Sequence, residues 1–154
     1  MATIATINIS SDVYSGFSSI SKSMTLTKAA TTTDIEETTG YSRRKFTSTD
    51  AKDLIVMADL QVETADSKAA KLFVKNIGDG KGNIDKSVAV SIGLGTVGSA
   101  GTTADYQEIS KLYGGDWMMI PLTGIDATGD VQVVPATDDA VILEYVMFLS
   151  LIHI

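Results

Sequence analysis

The stretch Leu112–Phe148, LYGGDWMMIPLTGIDATGDVQVVPATDDAVILEYVMF, decides the fold class. It divides into three apolar runs separated by turn chemistry. Trp117-Met118-Met119-Ile120 follows the Gly114-Gly115-Asp116 turn, Val131-Gln132-Val133-Val134 follows Thr128-Gly129-Asp130, and Ala140–Phe148 follows Asp138-Asp139. In the last run Val141, Leu143, Tyr145 and Met147 alternate with Ile142, Glu144, Val146 and Phe148. A strand that is apolar on both faces, with one carboxylate, is covered on both sides or pressed against a neighbour.

Working outward, Ile4, Ile7 and Ile9 lie in a Thr/Ile-rich segment suited to a strand or an extended N-terminal arm over residues 1–10. Ile20, Met24 and Leu26 alternate with Ser, Thr and Lys as a half-exposed strand does. Residues 29–39 read as a surface loop, and Tyr41–Thr47 as an extended segment with Tyr41 and Phe46 as its apolar members. Period two from Leu54 to Val62 favours a strand there over the alternative, a short helix capped by Asp50 with Leu54, Met57 and Ala58 on one side. Lys71–Asn76 and Ser87–Ile92 are expected to pair as a hairpin through Gly78–Asn83, GDGKGN. Gly93–Thr103 is read as a glycine-rich loop, and Tyr106, Ile109 and Leu112 re-enter ordered structure. The spacing of these segments predicts an all-β, antiparallel β-sandwich of the jelly-roll kind, a single domain over residues 1–148.

The chain has 154 residues, enough for a core without staples, and no cysteine, which rules out disulfides, thiolate metal sites and cysteine nucleophiles. A formal net charge of −7 opposes general nucleic-acid binding, so partners are expected to be proteins. Met1–Ser10 lacks the charged start and continuous apolar core of a signal peptide or membrane span, so a soluble protein made in the cytoplasm is expected, with no membrane partner. The segment Leu149–Ile154, LSLIHI, resembles the in-frame translation of a transposon end used in sequencing-library preparation, which would set it outside the fold; its alternative reading is an extension of the last strand.

Several motifs suggest chemistry and lose it on context. Gly93, Gly95 and Gly98 satisfy G-x-G-x-x-G, but no helical period follows to hold a pyrophosphate. Asp79, Asn83 and Asp85 suggest oxygen ligands for calcium, yet Lys81 stands where a third ligand belongs. Asp138-Asp139 beside Glu144 reads as a solvated turn, because adjacent strand residues face opposite ways. Asn8-Ile9-Ser10 has glycosylation spacing without a visible secretory route. The lone histidine, His153, sits in the suspect tail, so His-based acid–base catalysis is not expected, nor is any enzymatic role, metal or cofactor.

Two features suggest contact instead. Arg43, Arg44 and Lys45 form the one dense basic cluster; it either guards an edge strand by charge or docks on an acidic neighbour. Trp117 after a Gly-Gly turn is expected in the core, while tryptophan is also the type most enriched at interface anchors.

Gly115-Asp116-Trp117, Ile120-Pro121, Asp130-Val131-Gln132-Val133 and Leu143-Glu144-Tyr145, taken together, resemble the C-terminal half of small β-sandwich virion proteins of tailed bacteriophages. That resemblance covers about a third of the chain. It implies a phage structural protein, foremost a capsid decoration or cement protein, homotrimeric and held to the major capsid protein or other virion proteins by lattice contacts. A tail, neck or fibre component, or a carbohydrate- or receptor-binding module, remain alternatives. The expected interaction residues are Ile4, Ile7, Ile9, Arg43, Arg44, Lys45 and Trp117.

Overall fold

The structure, a computed structural model, describes residues 2–10, 20–28, 37–38, 40–56, 70–79, 88–95, 106–122 and 130–149. Within them the chain is all-β, with antiparallel sheets and no helix. The strands are β1 (Ala2–Ile9), β2 (Ile20–Lys28), β3 (Glu37–Thr38), β4 (Ser42–Phe46), β5 (Lys52–Ile55), β6 (Ala70–Asn76), β7 (Val90–Gly95), β8 (Gln107–Leu112), β9 (Trp117–Leu122), β10 (Asp130–Pro135) and β11 (Val141–Leu149). The three runs expected between Leu112 and Phe148 are β9, β10 and β11.

The pairing of β4 to β11 is nested. β7 pairs β8, β6 pairs β9, β5 pairs β10 and β4 pairs β11, all antiparallel, as in one long hairpin doubled back on itself. Two lateral joins, β6 with β11 and β7 with β10, gather these pairs into two sheets. One has the order β5-β10-β7-β8; the other is β3-β11-β6-β9, with β4 also on β11. Each strand from β4 to β11 sends side chains into one buried cluster, including Phe46, Leu54, Leu72, Val90, Leu112, Leu122, Val133 and Leu143. The alternation read from the sequence therefore has a partner: what β11 buries at Val141, Leu143 and Met147 faces what β7 and β10 bury at Val90, Ile92, Val131 and Val133.

Three expectations are corrected. The segments around Lys71–Asn76 and Ser87–Ile92 do not form a hairpin, because β6 and β7 lie in different sheets. Turn-forming residues reverse the chain but do not choose a pairing partner. Gly78 does take positive φ, at 78°, and the chain then crosses so that Val88, Val90 and Ile92 reach the core from the opposite side. Gly93 and Gly95 belong to strand β7 and not to a loop. A Cβ at Gly93 would collide with the Gln107 carbonyl and the Tyr106 ring, so glycine serves here to let a neighbouring strand and ring approach, at a bulge between Ile92 and Gly93. The expected loop over 29–39 contains β3, which pairs with the end of β11. Leu149 is the last residue of β11, opposite Ala70 and Glu37. Asn83, Asp85, Gly98, His153 and the run from Ala58 to Val62 lie outside the described residues.

Asn76 ties the two sheets together where β6 ends. Fully buried, it donates from Nδ2 to the Val88 and Leu112 carbonyls at 3.0 Å each and accepts from the Gly78 N–H at 2.8 Å. Its backbone N–H donates to the Asp116 carbonyl, and its carbonyl accepts from the Gly115 N–H. Thus the Gly-Gly-Asp turn, with Gly115 at φ 95°, is pinned to the end of β6 as well as closed on itself by Asp116 N–H donating to the Tyr113 carbonyl.

Candidate functional site

β1 and β2 form a sheet of their own, outside the nested pairs. Their register sets Ala5 opposite Met24, Ile7 opposite Lys22 and Ile9 opposite Ile20, all on one face. The other face carries a polar ladder, Thr6 Oγ1 to Ser23 Oγ at 3.2 Å and Ser21 Oγ donating to Asn8 Oδ1 at 2.6 Å. The N-terminal segment expected as an arm is therefore paired within its own chain, while each hairpin strand has a single partner strand among the described residues.

The hairpin lies over the β11 sheet, on the face turned away from the shared core. There Phe148, Phe73, Met119 and Val146 form a second apolar cluster, against which Ala5 packs. This is the second face of β11 that alternation required to be covered. Coverage is incomplete: a groove of about 470 Å³ remains between the hairpin and the sheet, walled by Ala5, Ile7 and Met24 above and Phe73, Trp117 and Met119 below. Lys22 and Lys75 are the charged residues of its lining, which also includes Thr6 and Ser23.

Trp117 is 49% exposed, and the expectation that it sits in the core is corrected. As the first residue of β9 it shares parity with Met119, while Met118, Ile120 and Leu122 take the inward positions. Its ring lies 6.0 Å from that of Phe73 at an interplanar angle of 31°, at the mouth of the groove. Ile9, Ile20 and Met24 are also exposed, so the apolar face of the hairpin continues beyond the part that meets the sheet, while Ile4 is exposed on the face of the polar ladder.

The basic cluster is split by strand alternation. Arg43 lies opposite Glu144 on β11 and pairs with it, Nη2 to Oε1 at 2.5 Å and Nε to Oε1 at 2.6 Å. Tyr41 donates its hydroxyl to the other oxygen, Oε2. Glu144 is buried, yet its pKa is held below the ordinary value: the Tyr41 hydrogen bond lowers it most, Arg43 and Lys75 add to that, and burial opposes them. Arg44 points the other way, stacks over Phe46 at 5.2 Å and donates from Nη1 to the Asp53 carbonyl at 2.6 Å, closing the edge between β4 and β5. Lys45 is exposed and in no ion pair among the described residues. Two of the three cations thus serve internal contacts on an edge strand.

Asp138 and Asp139 are exposed in the bend before β11; Asp139 accepts from the neighbouring Thr137 Oγ1, and Asp138 accepts from the Thr49 N–H in the turn between β4 and β5. Among the described residues no three His, Cys, Asp or Glu side chains come together as a metal site. Met24, Phe73, Lys22 and Lys75 were not singled out from the sequence. The available signal was alternation in AKLFVKN, which places Phe73 and Lys75 on one face of β6, but it becomes a site only once Met119 and Trp117 are known to lie opposite them. No protein-family model matches the sequence, and no curated protein matches it.

Proposed function

We propose that this chain is a non-catalytic structural protein of a phage virion, a capsid decoration or cement subunit that acts through protein–protein contacts, built as a jelly-roll β-sandwich. The fold reading is supported by strand order. Four nested antiparallel pairs joined laterally at β6·β11 and β7·β10 are what results when an eight-stranded hairpin is rolled over one core.

The docking reading is carried by one observation: the exposed apolar set on one face of the hairpin, Ile9, Ile20 and Met24, continues into half-exposed Trp117 instead of being used up in the core. A subunit that coats a lattice has such a surplus to bury in repeated contacts. The unpaired edges of β1 and β2 offer main-chain hydrogen bonds to a neighbouring copy by strand addition, consistent with a homotrimer. A carbohydrate-binding module would set its exposed aromatics near carboxylates or amides; around Trp117 the groove offers ammonium and hydroxyl groups.

The test is to count copies of the chain in purified particles of the phage that encodes it and locate them by electron microscopy. Many copies at symmetry-related sites on the head are expected. Absence from the particle rejects the reading, and a few copies at the neck or tail select the alternative position.

A further inference from the structure

The groove beneath the hairpin has the composition of a ligand site. Its volume, about 470 Å³, falls in the range of small-molecule pockets, roughly 300–1,000 Å³. Ile7 and Met24 on the hairpin and Phe73, Met119 and Trp117 on the sheet give it apolar walls. Among the described residues its only ionisable side chains are Lys22 and Lys75, both cationic, on a chain of net charge −7.

The carboxylate across the ladder from Lys75 attracts it without forming an ion pair with it. Glu144 lies opposite Lys75 in the ladder, but one of its oxygens accepts from Tyr41 and the other from Arg43. Neither Lys22 nor Lys75 is in an ion pair among the described residues. We propose that the groove binds a free amphipathic anion, an alkyl chain bearing a carboxylate, with the chain between Met24 and Trp117 and the carboxylate shared by Lys22 and Lys75. An apolar slot whose described lining holds cations and no anion selects that charge type over a cationic or zwitterionic amphiphile.

Trp117 is the only tryptophan in the sequence and lines the groove, so its emission reports occupancy directly. The experiment titrates the full chain with sodium decanoate, and separately with decyltrimethylammonium, below their micellar concentrations while following Trp117 emission and far-UV circular dichroism. Expected is a saturable blue shift with decanoate at unchanged dichroism, with affinity at least about tenfold weaker for the ammonium amphiphile and for the double variant Lys22→Gln/Lys75→Gln. These lysines are partly or fully exposed, so the variant folds as the parent does, which its dichroism checks. Equal affinity for both amphiphiles, undiminished decanoate binding by the double variant, no saturable shift, or unfolding at the concentrations that move the emission would each overturn the proposal.

Discussion

Glu144 shows how one side chain sets a condition on the whole fold. It is the single carboxylate of β11, and a buried carboxylate is tolerated only with donors on both oxygens, here Tyr41 and Arg43. Its folded pKa lies below the ordinary value of 4.5, so the cluster's stabilisation is present above that pH and is lost as pH falls through the folded value. Tyr41→Phe removes the largest cause of the shift. The variant should lose about 1 kcal/mol or less at neutral pH, because Tyr41 is itself exposed, and converge with the parent in urea melts as pH falls through the folded pKa of Glu144. Asn76 is a stricter case. With three hydrogen bonds made inside the protein, Asn76→Ala leaves two carbonyls and one N–H without their partner, and denaturant midpoints should report a loss of about 2–4 kcal/mol.

At the scale of elements, the hairpin and the body separate cleanly. Among the described side chains none of β1 or β2 belongs to the main core cluster; the hairpin's contact runs through Ala5 to Phe148, Phe73, Met119 and Val146. Removing residues 1–28 should therefore leave a body that still unfolds cooperatively, about 1–3 kcal/mol less stable, with Trp117 emission shifted to the red; calorimetry and fluorescence measure both. The same elements mark what the sequence made legible. Alternation located β9, β10 and β11 to within a residue or two, because period two is a local property. Pairing is not local: GDGKGN looked like a hairpin turn, yet β6 and β7 sit in different sheets. Gly93 looked like loop chemistry because its reason, the approach of Tyr106 and Gln107, comes from outside its own segment. The candidate site was legible in Ile7 and Trp117 and hidden in Phe73 and Lys75, whose meaning depends on which strand lies beside them.

Across the whole molecule, nesting dictates a slow search. The outer pair joins Ser42 with Tyr145 and Phe46 with Val141, so its contacts close loops of nearly the full length of the body. Loop closure precedes the gain from those contacts, and refolding should fall on the timescale of about milliseconds to seconds, as stopped-flow fluorescence of Trp117 can measure. Nesting also sets how the chain bears force. Glu37 and Thr38 lie directly beside Leu149 and Phe148, so a pull between residues 37 and 149 acts across the strands and opens their hydrogen bonds one after another, like a zipper. A pull along the strands would have to shear many bonds at once. A body loaded at residues 37 and 149 is thus mechanically weak, whereas load borne over the hairpin-covered face bypasses that seam.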